Sequence, residues 1–186
     1  EISLGLVGSE MCIRDRYFYS NEEKKAHEIA KGNPYVFSPE YESGGAGLLS
    51  TVNDYSLFAD ALACGGAGEG GRILKPETVT HMKTDRLTPK MRLDMNWEHL
   101  QGYGYGLGVR THTQQSADVS SPIGEFGWSG LAGAYILIDT QNQLSVYYAQ
   151  HMLNCLEPYI HPRLREHIYA GYREEGFNAE TVQQGV

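Results

Sequence analysis

The stretch Gly124-Glu125-Phe126-Gly127-Trp128-Ser129-Gly130-Leu131-Ala132-Gly133-Ala134-Tyr135, running on into Ile136-Leu137-Ile138-Asp139, is the most informative in the chain. Glycines and alanines recur through its first part, and Ser129 is a lone hydroxyl among them. The second part is β-branched and aromatic and reads as a buried strand. Glycine weakens a strand, so a cluster of them marks a place where something must come close to the backbone. Two readings follow from the residues alone. The stretch is one wall of a cleft, or it is a glycine-rich corner in an ordinary antiparallel sheet.

With 186 residues the chain can bury one core and is expected to form one domain. Hydrophobic residues make up 41% and charged residues 20%, as in a globular protein. A net charge of -8 argues against a nucleic-acid surface and against binding anionic membranes. No apolar run is long enough to span a bilayer. Cys12, Cys64 and Cys155 lie far apart without metal spacing, which predicts free thiols. The histidines His81, His99, His112, His151, His161 and His167 are scattered, with no i,i+4 pair and no carboxylate pattern beside them. No metal site and no cofactor are expected from them.

Outward from the glycine-rich stretch, the chain divides into three parts. Residues 1–16 (EISLGLVGSEMCIRDR) have neither helical nor strand period and lack the basic start of a signal peptide. They read as a non-native, adaptor-derived segment. Residues 17–175 carry the fold, and 176–186 read as a frayed tail. Asn21 to Ala30 suggests a short helix with Asn21 as its cap and acidic residues in its first turn. Asn33-Pro34 and Ser38-Pro39 impose extended or turn conformations. After the loop Ser43–Gly47, Thr51 caps a helix with Asp54 three residues on. Its apolar positions are Val52, Tyr55, Phe58, Ala59 and Leu62, and Gly65-Gly66 ends it.

A second helix starts at Pro76, with Val79 and Met82 on its buried side. Lys83 to Gln101 shows no clean period and reads mostly as loop. Tyr103, Tyr105, Leu107 and Val109 then alternate as in a strand. Three more strand-like runs follow at Glu125–Trp128, Ala132–Ile138 and Gln143–Gln150, the last two joined by a turn at Asp139–Asn142. A closing helix is expected over Pro162–Tyr172, with Leu164, Ile168 and Gly171 inward. Helices, then an antiparallel meander, then a covering helix make an α+β fold, an antiparallel sheet flanked by helices.

Four segments in order, GGAGLLSTVNDY (Gly44–Tyr55), ILKPETVTHM (Ile73–Met82), YGYGLGV (Tyr103–Val109) and FGWSGLAGAY (Phe126–Tyr135), resemble the C-terminal half of class C β-lactamase-like serine hydrolases. That group includes penicillin-binding-protein-like peptidases and β-lactamase-fold esterases. The likeness runs from about Tyr17 to Tyr172 and implies an incomplete β-lactamase/transpeptidase-like fold from a bacterial, soluble protein, with its location left open. Members use a Ser-x-x-Lys nucleophile motif, a Tyr-x-Asn motif and a Lys-Thr-Gly-type motif on a strand at the cleft. Trp128-Ser129-Gly130 fits the third in a Trp-x-Gly form. The resemblance implies that the N–H of Leu131 is one oxyanion donor, and that Trp128, Ser129, Gly130 and Leu131 line the substrate site. Trp128 also has a packing role open to it. Because it stands where the family has Lys, recognition of carboxylate-bearing substrates such as β-lactams is disfavoured.

No serine in this chain is followed by lysine three residues later. Tyr19-Ser20-Asn21 matches Tyr-x-Asn by letter, but it lies too near the Gly44 loop and precedes Glu22-Glu23-Lys24-Lys25 rather than an apolar helix. The catalytic nucleophile and base are therefore expected upstream, and this chain alone is expected to be inactive. The reading is a fragment of a serine hydrolase that cleaves an ester or amide through an acyl-enzyme. The alternative is a homologue that binds a peptide or acyl ligand without turnover. Glu125 reads as a solvated charge at the strand edge, Asp54 as a helix cap, and Tyr147-Tyr148 as packing on the sheet.

Overall fold

The computed structural model describes residues 17–29, 50–95, 97–115 and 119–174. Expectations for residues 1–16, for the loops over 30–49 and for the tail from 175 fall outside these. The elements in order are β1 (Tyr17–Ser20), β2 (Lys25–Glu28), α1 (Val52–Ala63), β3 (Ala67–Gly68), β4 (Gly71–Arg72), α2 (Pro76–Lys83) and α3 (Pro89–Asp94). A 3-10 turn (Glu98–Leu100) leads to β5 (Tyr103–Tyr105), β6 (Arg110–His112), β7 (Phe126–Ser129), β8 (Tyr135–Asp139), β9 (Leu144–Tyr148), β10 (Met152–Leu153) and α4 (Glu157–Glu174).

Strands β5 to β9 form one antiparallel sheet in sequence order, the expected meander. Its two faces follow from the period of two. Phe126 pairs with Ile138, and both point to the side met by Ala59, Leu62 and Ala63 of α1 and Val79 of α2. Tyr135 and Leu137 point to the other side, where Tyr169 and Leu164 of α4 cover them. The molecule is thus an α+β fold with helices on both faces of an antiparallel sheet. Among the described residues no helix is long and apolar enough to cross a membrane.

Helix α1 begins as its sequence demands. The Thr51 hydroxyl accepts the Asp54 N–H at 3.1 Å and donates to the Asp54 carboxylate at 2.9 Å, so Asp54 is part of the cap. The buried face is narrower than the apolar pattern suggested: Ala59, Ala61, Leu62 and Ala63 are buried, whereas Val52 and Phe58 are exposed. Small alanines let the helix lie close to the sheet. Gly66 then closes the helix, its N–H bonding the Ala61 carbonyl at 2.7 Å.

Four expectations are corrected. Asn21 to Ala30 does not start a helix: Lys25–Glu28 pairs antiparallel with Tyr17–Ser20, and Asn21–Lys24 is the turn between them. Tyr17 and Phe18 in turn pair in parallel with Met152 and Leu153, a distant partner that overrides local helix preference. In the Lys83–Gln101 region, Thr88 caps α3 and Pro89 occupies its first turn, a start signal that the short apolar content had masked. Tyr103–Val109 is not one strand but a hairpin arm and its turn. There Gly108 adopts φ 77° and the Gly106 N–H bonds the Val109 carbonyl at 2.8 Å. Helix α4 begins at Glu157 rather than Pro162, and it buries His161, Arg165 and Tyr169 while Gly171 is exposed.

Candidate functional site

The third-motif residues sit together where β7 ends and turns into β8. Trp128 and Ser129 are half-buried, Gly130 is exposed, and Leu131 carries a side chain 75% exposed. The turn is tightly bonded: the Gly130 N–H meets the Ala134 carbonyl at 2.7 Å and the Gly133 N–H meets the Gly130 carbonyl at 2.8 Å. Among the described residues the Leu131 N–H has no acceptor.

The glycines here are not equivalent. A Cβ on Gly127 would stand 2.0 Å from the Ile136 carbonyl oxygen, and one on Gly133, at φ 91°, would strike Gln150 and the Cys155 sulfur. Both are required by the fold itself. A Cβ on Gly130 would meet nothing nearer than 3.9 Å. The chain's own packing gives no reason for glycine at position 130.

Trp128 stands between two hollows. On one side is an open apolar groove of about 350 Å³ walled by Leu87, Met91, Met95, Trp97, Tyr105 and Trp128, with Asp94 as the charged member of its lining. The Trp128 ring meets that of Tyr105 edge-on at 5.0 Å. On the other side is a small recess of about 40 Å³, room for one or two waters. His99, Ser129, Tyr135, Glu157 and His161 line it. The Ser129 hydroxyl donates to the Glu157 carboxylate. His161 lies 4.0 Å from the same carboxylate oxygen, and its Nε2 faces the Gly133 carbonyl at 3.1 Å. That nitrogen therefore carries the hydrogen. Burial pulls His161 and His99 below the usual imidazole range, which keeps both neutral near pH 7.

Beneath the recess lies a buried charge pair. The Arg110 guanidinium donates to Glu125 at 2.7 Å and to the Tyr135 hydroxyl at 2.8 Å, while the Tyr103 hydroxyl donates to Glu125 at 2.9 Å. Glu125 is fully buried, so it is not the solvated edge charge that its sequence position suggested. Its neighbour on the adjacent strand, together with two hydroxyls, offsets the cost of desolvating it. Burial pushes the Tyr135 hydroxyl up to about 12, with Arg110 opposing the shift, so the hydroxyl stays protonated.

Of the four motif residues, Trp128 and Ser129 line these hollows while Gly130 and Leu131 line neither, and the recess adds residues the sequence reading did not place there: Trp97, His99, Glu157 and His161. One signal for them was present. Glu157 and His161 are four apart on one helix face, but a helix begun at Pro162 excludes both. Tyr19 and Ser20 lie at the end of β1, where the Ser20 hydroxyl accepts the Glu23 N–H at 3.2 Å as a turn residue.

Comparison with known proteins bears on this site. Protein Rv1367c of Mycobacterium tuberculosis is 32% identical over 138 residues, covering 71% of this chain and 34% of that protein. An acyltransferase, calJ of Penicillium decumbens, is 25% identical over 126 residues, 60% of this chain and 29% of its own length. Among solved structures, simvastatin synthase (LovD) from Aspergillus terreus superposes with TM-score 0.65 at 17% identity, over 92% of this chain and 44% of that one. EstCE1, described as a hydrolase with promiscuous acyltransferase activity, gives 0.62 at 21% identity, over 83% and 43%. The chain spans about a third of the curated relatives it matches and under half of these structures. The family described as Beta-lactamase matches residues 7–158, and the chain belongs to that family.

Proposed function

We propose that this chain forms one wall of a serine acyl-transfer site that acts on neutral esters with an apolar group. The observation that carries the reading is Gly130: among the described residues nothing packs against it and the neighbouring Leu131 N–H has no acceptor, and it ends a strand that flanks an apolar groove. A glycine with no internal purpose is explained by a substrate lying against it. The Leu131 N–H is then placed to receive the charge that develops on an acyl carbonyl oxygen. The serine that attacks, and its base, lie in a preceding part of the protein. Its oxygen bonds the acyl carbon, the alcohol departs with the serine proton, and water or a second alcohol later takes the acyl group.

Substrate class follows from the groove. Its volume is that of a small-molecule pocket, its walls are apolar or aromatic, and among the described residues the only charge lining it is the Asp94 carboxylate. An apolar acyl or alcohol group fits there, and a carboxylate-bearing β-lactam does not. The names of relatives as an acyltransferase and as a hydrolase with promiscuous acyltransferase activity agree with this reading.

The test is Gly130→Val in the intact protein that carries this chain. Turnover of an apolar p-nitrophenyl ester is expected to fall at least a hundredfold, about 3 kcal/mol, with the circular dichroism spectrum unchanged. Trp128→Lys should move preference toward a chromogenic cephalosporin. Parental turnover in folded Gly130→Val would remove this strand from the site.

A further inference from the structure

The β7–β8 turn is held from behind by one end of one helix. The Ser129 hydroxyl, just before the turn, donates to Glu157 in the first turn of α4. One helical turn later, the His161 Nε2–H reaches the Gly133 carbonyl, just past Leu131 and Ala132. His161 is 4% exposed, and its ring lies tilted against Tyr135 at 4.6 Å and meets Tyr148 edge-on at 6.1 Å. Between these two anchors the Ala132 carbonyl accepts the Met152 N–H at 2.9 Å. Both flanks of the Gly130–Leu131 peptide are thus fixed to α4, and the recess between is too small for anything but water.

The Ser129 hydroxyl is therefore turned away from the groove and spent on the helix. We propose that Glu157 is a positioning residue that acts through Ser129 to set the direction of the Gly130–Leu131 peptide. The physical need is plain. An oxyanion donor helps only if it is aimed before the reaction begins, and the two backbone hydrogen bonds inside the turn fix its shape but not its direction relative to the rest of the fold. A carboxylate acceptor makes a stronger strut to a hydroxyl than a neutral group does. The inference rests on the acyl-transfer reading of the preceding section.

The test is a double-mutant cycle in the intact protein, read as kcat and KM for one apolar p-nitrophenyl ester, with thermal melts of every variant. Ser129→Ala and Glu157→Ala are each expected to lower kcat about tenfold with KM within about twofold, because a mis-aimed donor is felt in the transition state and not in binding. The double variant should be no slower than either single one. Glu157→Gln, which keeps an acceptor oxygen and the same shape, should recover kcat to within about threefold of the parent. Losses in kcat that multiply in the double variant, a loss confined to KM, or unchanged kcat in folded Glu157→Ala would each overturn the proposal. Gly130→Val separates the two levels. If it abolishes turnover while the Glu157 series changes nothing, only the strut is wrong. If it leaves turnover intact, the underlying site assignment fails.

Discussion

The two faces of the central sheet are stabilised by opposite means. Toward α1 and α2 the buried cluster is Ala59, Leu62, Ala63, Val79, Phe126 and Ile138, with the Lys83 ammonium at its edge, 5.8 Å from the Phe126 ring. Toward α4 an apolar patch of Tyr135, Leu137, Leu164 and Tyr169 is joined to a buried polar network of Arg110, His112, Glu125, His161 and Arg165. An apolar face tolerates sliding and repacking among similar volumes. A face of paired charges has one register in which its groups are satisfied, and losing one partner strands the other. The third-motif turn is tied to the second face, by Ser129 to Glu157 and Gly133 to His161. Positional definition is therefore greatest beside that turn.

That contrast can be broken by experiment. The largest effect is expected from Glu125→Leu, which leaves the Arg110 guanidinium buried and unpaired. Urea unfolding should show a loss of about 4 kcal/mol, and the double variant with Arg110→Met should lose less than Glu125→Leu alone. A loss below about 1 kcal/mol would mean that the polar face is no more demanding than the apolar one. Leu62→Ala on the apolar face is expected to cost about 3 kcal/mol, with no rescue by any single partner change.

The smallest effect is a pH dependence confined to the polar face. His161 is held below the usual imidazole range in the fold, chiefly by burial, with Arg110 and His99 adding to that shift and Glu157 and the Gly133 carbonyl opposing it. Below about pH 6.5 the unfolded chain takes up a proton at this position that the folded one refuses. Its contribution to stability is therefore full above that pH and falls away as the pH drops toward the folded value. His161→Gln should flatten the decline between pH 7 and 5, measured as urea midpoints. An unchanged slope would show that the histidine is accommodated equally well in both protonation states.

What could be read from the sequence was what neighbours in the chain determine. The Thr51 cap, Pro76 at the start of α2, the β-branched and aromatic run that becomes β8, and the turn after Asp139 all rest on contacts within a few residues. The hairpin of β1 and β2 is different, because the parallel partner Met152–Leu153 lies at the far end of the chain. Glu125 was misjudged for a related reason. A carboxylate in a strand is usually at the surface, and its cation is offered by another strand. At the site, the motif strand was legible and its support was not. Pro162 read as a helix start, yet it lies in the second turn of α4, where its missing N–H removes a single bond. The turn ahead of it carries both residues that hold the motif.

Cys155 has a use that follows from where it is buried. Its sulfur packs under Gly133, it is 3% exposed, and burial pushes its thiol up from the ordinary range. Cys64, at the end of α1, is exposed. A thiol reagent should modify Cys64 at once and Cys155 only when the start of α4 swings away from the turn. The rate of that second modification is a clock for opening between α4 and the β7–β8 turn, readable by mass spectrometry without any substrate.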